Sequence, residues 1–518
     1  MLTTVPDSFN AAQYFVDRHV TQGNGAKVAI ECGDRHVTYA ELADRVNRLG
    51  NILRDTFDVR IEERVVLLVL DVPEFAYSFF AVMKIGAVVV PINTLWKPAD
   101  YEYVLRDARA RVLIVSAELL PKIAEIPSDR LHYLRHIIVV GSHDTEAHTF
   151  DDLLAGSRGA LDAADTAKDD AAFWLYSSGS TGAPKGCVHR HQDMVVTSDC
   201  YAKGVLGMRA EDRVFSVAKL FFGYGLGNAL YFPLSVGATT ILLPGPPTAP
   251  NVYGVIEAHR PTLFFSVPTG FAILLAHQHP DDMRDFDLSS VRLAISAGEA
   301  LPPALFERFK QRFNIDILDG IGSTETLHMF ITNRPHAIRP GSSGLLIPGY
   351  EARIVDEHDN PVARGDIGNL LIKGDSICTS YWNKHEKTRQ TIQGYWIRTG
   401  DKYYQDDEGY FWYAGRTDDM LKVGGLWVSP VEVENALVEH PSVLECAVVG
   451  REDGDELVKP EAFVVVQPGV RVEDGLAHEL QQFVRARLAE YKRPRWIQFV
   501  ETLPRTATGK LQRFKLRA

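Results

Sequence analysis

The stretch RVVLLVLDVPEFAYSFFAVMKIGAVVVPI, residues 64–92, decides the fold class. Its opening run VVLLVL is apolar without alternation and reads as a strand covered on both faces. From Pro73 to Lys84 apolar side chains recur at Phe75, Phe79, Phe80 and Met83 with helical spacing, and Gly86 closes the helix. A second apolar run, residues 87–92, follows at once. Strand, amphipathic helix, strand is the signature of a parallel sheet, and similar apolar runs recur at residues 111–116, 239–243 and 263–267. The architecture expected is α/β, with parallel-rich sheets and helices.

At 518 residues the chain exceeds what one hydrophobic core serves. The reading places a large, multi-lobed N-terminal domain over residues 1–417 and a small α+β domain over residues 418–518. In the small domain Ser429-Pro430-Val431-Glu432 forms a capping box with proline at the first helical position. Apolar strands at 443–449 and 462–466, a helical stripe through Leu476, Leu480, Phe483, Val484 and Leu488, and a last strand at 497–500 complete it. Residues 156–172 are small, polar and patternless, and read as a surface connection between lobes.

Composition excludes several classes. With 46% hydrophobic and 24% charged residues the chain is neither disordered nor membrane-like, and 67 acidic against 55 basic residues disfavour a nucleic-acid partner. The five cysteines, Cys32, Cys187, Cys200, Cys378 and Cys446, are scattered and never spaced as CxxC, which argues for a reducing compartment. The first residues carry no basic start and apolar core of a secretion signal, and no apolar stretch approaches the ~20 residues of a membrane helix, so a cytoplasmic protein with no membrane partner is expected.

The chemistry enters at Ser177-Ser178-Gly179-Ser180-Thr181-Gly182-Ala183-Pro184-Lys185-Gly186, directly after the strand-like AAFWLY. Glycines let backbone N–H groups approach an anion, hydroxyls donate to it, and Lys185 adds charge, which together make a triphosphate grip. The Walker spacing is absent.

This loop resembles the phosphate-loop signature of the acyl-adenylate-forming superfamily. SAGEALP at 296–302, DGIGSTE at 319–325, RTGD at 398–401, GRTDDMLKVGG at 415–425 and PRTATGK at 504–510 match further motifs in the family's order. KLFFGYGLGNALYFP at 219–233 is similar to the benzoate-CoA ligase branch. The resemblance implies ATP and coenzyme A as co-substrates, Mg²⁺ as cofactor, an aromatic carboxylic acid as substrate, and a monomer or homodimer.

It also implies residue roles. Ser177, Ser178, Gly179, Ser180, Thr181, Gly182 and Lys185 would hold the β- and γ-phosphates, Thr324 the α-phosphate, and Glu325 the metal. Adenine would lie on Gly298-Glu299-Ala300 and on the Asp319-Gly320-Ile321 backbone, with Gly322 and Ser323 completing the nucleotide site. Asp401 would accept from both ribose hydroxyls, supported by Arg416. Lys510 would bridge carboxylate and ATP during adenylation. The small domain would then turn about a hinge at Asp418, withdrawing Lys510 and bringing in the loop of Lys422, Gly424 and Gly425 as a pantetheine tunnel, with Lys492 and Arg493 near the CoA phosphates.

For the acid, Phe222, Gly223 and Tyr224 offer no charge for an amino-acid ammonium and suit a flat ring. His328 and Met329 would close the other wall, with Gly322 leaving room for the ring plane. Gly223 stands where benzoate ligases commonly have alanine, which implies a wider pocket and a hydroxy-, amino- or halo-benzoate. The alternative is a stand-alone adenylation enzyme that loads an aryl acid onto a carrier protein.

Overall fold

Pro73 opens a helix, Pro73–Lys84, in which every residue is buried, including Glu74 and Lys84. Both charges are paired rather than solvated: Glu74 takes two guanidinium nitrogens of Arg35, and the Lys84 ammonium meets Asp17 at 2.7 Å and Asn47 at 2.6 Å. The helix is buried all round because it serves two sheets. It packs on Arg64–Leu68 and Val88–Pro91 of one and on Val28–Cys32 of another.

The structure, a computed structural model, describes residues 4–177, 183–279, 285–423, 426–453, 457–505 and 511–517. The first sheet has eight strands in the order Ser380–Tyr381, Lys185–Arg190, Ala171–Ser177, Val88–Pro91, Arg64–Leu68, Val112–Ser116, His136–Val140 and His148–Thr149. Its strands from Ala171–Ser177 onward are parallel, as the periodicity predicts. The runs at 239–243 and 263–267 are strands too, Thr239–Ile241 and Leu263–Ser266, but they belong to a second, nine-stranded sheet. There they flank Arg213–Ser216 and lead on to Leu293–Ser296 and Ile317–Gly322, all parallel. An antiparallel sheet of five strands spans Glu351–Val355 to Phe411–Arg416.

Beyond it lie the hairpin Leu421–Val423 and Leu426–Val428, then a three-stranded sheet of Val443–Glu452, Val458–Val466 and Trp496–Phe499 covered by helices Pro430–Val438 and Leu476–Arg485. This matches the α+β texture read at the end of the chain.

Two local expectations need correction. Residues 156–172 are not only a surface connection: Leu161 and Thr166 are buried against the large domain, and the strand has begun by Ala171. The capping box is half formed, since Ser429 Oγ accepts from Glu432 N at 3.1 Å while the Glu432 carboxylate is taken by Lys492 at 2.7 Å. Lys492 Nζ thus pairs with Glu432 at 2.7 Å and Arg493 Nε with Glu490 at 3.0 Å, both within the small domain. All five cysteines are buried and unpaired.

Candidate active site

The site assembles where strands of both sheets end, the place where open parallel sheets bind ligands. Ala171–Ser177 delivers Ser177, and the chain returns antiparallel as Lys185–Arg190 with Ser177 in register with Lys185. The loop between them, Ser178 to Gly182, lies outside the described residues, as do Gly424, Gly425 and Lys510. Lys185 is half-buried, and burial, then the nearby Lys387, lowers its pKa while Glu325 opposes the shift. Its Nζ stands 5.1 Å from the centre of the Tyr381 ring.

Thr324 and Glu325 follow the strand Ile317–Gly322 of the second sheet and are gripped from the first. The Thr324 carbonyl accepts from buried His189 Nε2 at 2.8 Å, and His189 Nδ1 faces Asp193 Oδ2 at 3.1 Å. The Glu325 carbonyl accepts from Cys378 N at 2.7 Å, and Tyr381 Oη donates to Glu325 Oε1 at 2.7 Å. Ser323 N donates to Thr326 Oγ1 and tightens the same turn. Among the described residues no group of three His, Cys, Asp or Glu side chains could hold a metal ion. A lone carboxylate beside a phosphate loop fits a hard cation that arrives with phosphate oxygens as its other ligands.

Asp319 sits in register with Ser296 across adjacent parallel strands. Its Oδ2 accepts from Leu301 N at 3.3 Å, while buried Oδ1 has no hydrogen bond among the described residues. Burial pushes this carboxyl up to about 8. An orphan carboxyl oxygen there suits the exocyclic amine of a purine. Gly298, at φ 93°, makes the turn on which Glu299 projects. Glu299 Oε1 receives Arg505 Nη1 at 3.0 Å and Leu511 N at 3.2 Å, the two residues that flank 506–510. Asp401 is buried opposite its register partner Arg416, whose Nη1 reaches Asp401 Oδ1 at 2.9 Å. Lys422 is exposed on the hairpin.

The aromatic wall is as dense as its sequence suggests. Tyr224 Oη lies 3.2 Å from the Ser266 carbonyl and 3.3 Å from that of Ile295. His328 is buried among Tyr201, Tyr224 and Phe232, with ring centres 5.3, 5.6 and 4.5 Å away. Its Nε2 faces two acceptors, Asn228 Oδ1 at 3.1 Å and the Tyr224 carbonyl at 3.3 Å, so this nitrogen carries the hydrogen. Burial lowers the imidazole to about 3, which leaves it neutral and Nδ1 a bare acceptor, buried without a partner among the described residues. Met329 follows, buried and in register with Gly322.

Two glycines act otherwise than expected. A Cβ on Gly223 would lie 2.7 Å from the Leu327 carbonyl, and one on Gly322 2.5 Å from that of His328. The space each leaves is taken by main chain and not by the ring of a substrate, so both glycines bring the Leu327-His328 backbone in close.

The AMP-binding enzyme family matches residues 16–382, and its C-terminal domain matches residues 432–510. The chain belongs to the AMP-binding enzyme family. Within it the chain is 48% identical to the benzoate–CoA ligase of Thauera aromatica, over 99% of this chain and 97% of that one. It is 44% identical to the 4-hydroxybenzoate–CoA/benzoate–CoA ligase of Rhodopseudomonas palustris, over 98% and 94%. A solved structure of an anthranilate CoA ligase in complex with anthranoyl-AMP superposes with a TM-score of 0.95 at 47% identity, covering 99% of this chain and 97% of that one. These relatives place it in the benzoate–CoA ligase branch of the AMP-binding enzymes.

For this AMP-binding enzyme, sequence motifs locate Ser177, Lys185, Asp319, Thr324, Glu325, Asp401 and Arg416 without locating what holds them. His189 and Tyr381 belong to no motif read above, although His189 stands four residues after Lys185 and Tyr381 in SYWN, residues 380–383; Asn228 lies within the 219–233 motif without being singled out there. No helix among the described residues is long and apolar enough to cross a membrane.

Proposed function

We propose that this chain is an AMP-forming aryl-CoA ligase acting on a benzoate that carries a hydrogen-bond donor, an amino or hydroxyl group, on its ring. The acid's carboxylate attacks the α-phosphorus of ATP and pyrophosphate leaves; the thiol of coenzyme A then attacks the acyl carbon and AMP leaves. Two anions must meet in the first step, so cations and donors do most of the catalytic work.

The phosphate loop with Thr181 and Lys185 takes the terminal phosphates, Thr324 the α-phosphate, and Asp401 with Arg416 the ribose. Adenine is received between the Gly298-Glu299-Ala300 turn and the Asp319-Gly320-Ile321 strand, with the buried Asp319 Oδ1 as the acceptor proposed for its amine. Glu325 would hold Mg²⁺, which supplies charge neutralisation at the phosphates when bound. Lys510 serves adenylation, and rotation about Asp418 exchanges it for the Lys422 to Gly425 loop.

The observation that carries the choice of acid is His328 Nδ1, a neutral, buried acceptor in the aromatic wall with no partner among the described residues. A ring N–H or O–H satisfies it, whereas plain benzoate leaves it orphaned at a cost of about 1–3 kcal/mol. Relatives are named for 4-hydroxybenzoate and anthranilate as well as for benzoate, so the reading stays within the acids of this branch. A panel of benzoates assayed for CoA-dependent AMP release tests it: a donor-bearing acid should exceed benzoate in kcat/KM by roughly ten-fold or more, and the halo-benzoates should not. Benzoate as the best substrate, or acyl transfer to a carrier protein without free CoA, would overturn it.

A further inference from the structure

The carboxylate assigned to the metal does not choose its own direction. Glu325 sits on a turn whose main chain is fixed at two consecutive carbonyls: Thr324 by His189 and Glu325 by Cys378. What remains free is the side chain, and Tyr381 removes that freedom with a 2.7 Å hydrogen bond to Oε1. Tyr381 is buried at 4% exposure and is itself fixed, because Ser380–Tyr381 is the edge strand of the first sheet, with Tyr381 in register with Cys187 of the phosphate-loop strand. Thr388 Oγ1 accepts from its N–H, and Lys185 Nζ lies over its ring. One aromatic residue thus touches the loop lysine with its face and Glu325 with its hydroxyl.

We infer that Tyr381 is a positioning residue for the metal–nucleotide complex: it holds Glu325 Oε1 so that the second oxygen is presented to the cation. Outer partners of this kind orient a metal ligand, and their loss weakens metal affinity by roughly 10–100-fold. The inference rests on the assignment of Glu325 to the metal. It adds that the geometry of the metal site is set from the first sheet, by the strand that also carries the phosphate grip. Pyrophosphate has left before CoA reacts, so Tyr381 should matter to the first half-reaction and not to the second.

The test uses the full chain and Tyr381→Phe, which keeps the ring and its contact with Lys185 and deletes one oxygen. Mn²⁺ is titrated into wild type, Tyr381→Phe and Glu325→Gln with a non-hydrolysable ATP analogue present, and free Mn²⁺ is read by electron paramagnetic resonance on protein shown folded by its melting curve. Expected for Tyr381→Phe is Mn²⁺ binding weaker by about ten-fold or more, a matching rise in the Mg²⁺ midpoint of pyrophosphate exchange, and thioester formation from synthetic aryl-AMP within about two-fold of wild type. Unchanged Mn²⁺ binding in Tyr381→Phe while Glu325→Gln loses it would overturn the role of Tyr381. Unchanged binding in Glu325→Gln would instead overturn the metal assignment. Equal loss of both half-reactions with Mn²⁺ binding unmoved would mean that Tyr381 is merely structural.

Discussion

Gly223 is expected to leave room for a substrate ring, and the space beside it is instead filled by main chain. The sequence places it at the ring wall; the fold aims its missing methyl at the Leu327 carbonyl, 2.7 Å away. Leu327 has φ 68°, a strained value for a branched side chain, and the turn it makes carries His328. Gly223→Ala should therefore act by pushing His328, lowering kcat/KM for donor-bearing benzoates by roughly ten-fold while benzoate changes little. An equal fall for every acid would show that the loop has simply been destabilised. Asp319 gives a prediction in pH. Its folded pKa of about 8 lies above the ordinary 3.8, so between those values the folded protein holds a proton that the unfolded chain has released. Stability from this group is full below about 4 and declines as pH rises to about 8. Asp319→Asn should flatten that decline, by roughly 2 °C or more in melting temperature across the window, with no change in slope above pH 8. An identical melting profile for the variant would show that Asp319 is ionised throughout.

At the level of elements, what was legible depended on whether one segment carried the feature. The strand Ile317–Gly322 and the turn after it hold Asp319, Thr324 and Glu325 in one run of seven residues, so a linear motif suffices to find them. The Tyr381 bond spans 56 positions and that of His189 to Thr324 spans 135, and both exist only because the edge of one sheet meets the end of another. The same limit applies to Ser429: local spacing predicts a reciprocal cap, and Lys492, 60 positions from Glu432, overrules half of it. The pair Arg505 and Leu511 is another such contact. They bridge to one another and both donate to Glu299, which ties the small domain to the large one beside the nucleotide turn. Arg505 also grips Glu445 at 2.5 Å. Arg505→Ala should lower adenylation about ten-fold and leave acyl transfer from supplied aryl-AMP near wild type, since the proposed rotation would break this tie before acyl transfer. Loss of both half-reactions together would mean that Arg505 only stabilises its own domain.

For the whole molecule the proposed rotation gives the two half-reactions two arrangements around one carbonyl, and that division of labour is testable at each end of the swing. Lys510→Ala should abolish adenylate formation and spare transfer from aryl-AMP, whereas Gly425→Leu should spare pyrophosphate exchange and stall thioester formation. Parallel losses in either variant would count against rotation about Asp418. The buried cysteines bear on the same chemistry from another side. An acyl-adenylate is an electrophile that thiolates destroy, and this molecule makes one in order to hand it to a thiol. Its own sulfurs are kept out of that competition: all five are buried, and desolvation raises Cys32 to about 11, Cys200 to about 12, and Cys187 and Cys446 well above the ordinary thiol value. Cys187 lies in the very strand that carries Lys185, within 3.9 Å of Ser177 Oγ, yet as a neutral, water-excluded thiol it offers the intermediate no attack. The native protein should accordingly resist iodoacetamide and accumulate no acyl-protein adduct by mass spectrometry during turnover without CoA, so the activated acid waits for the one sulfur that arrives from solvent.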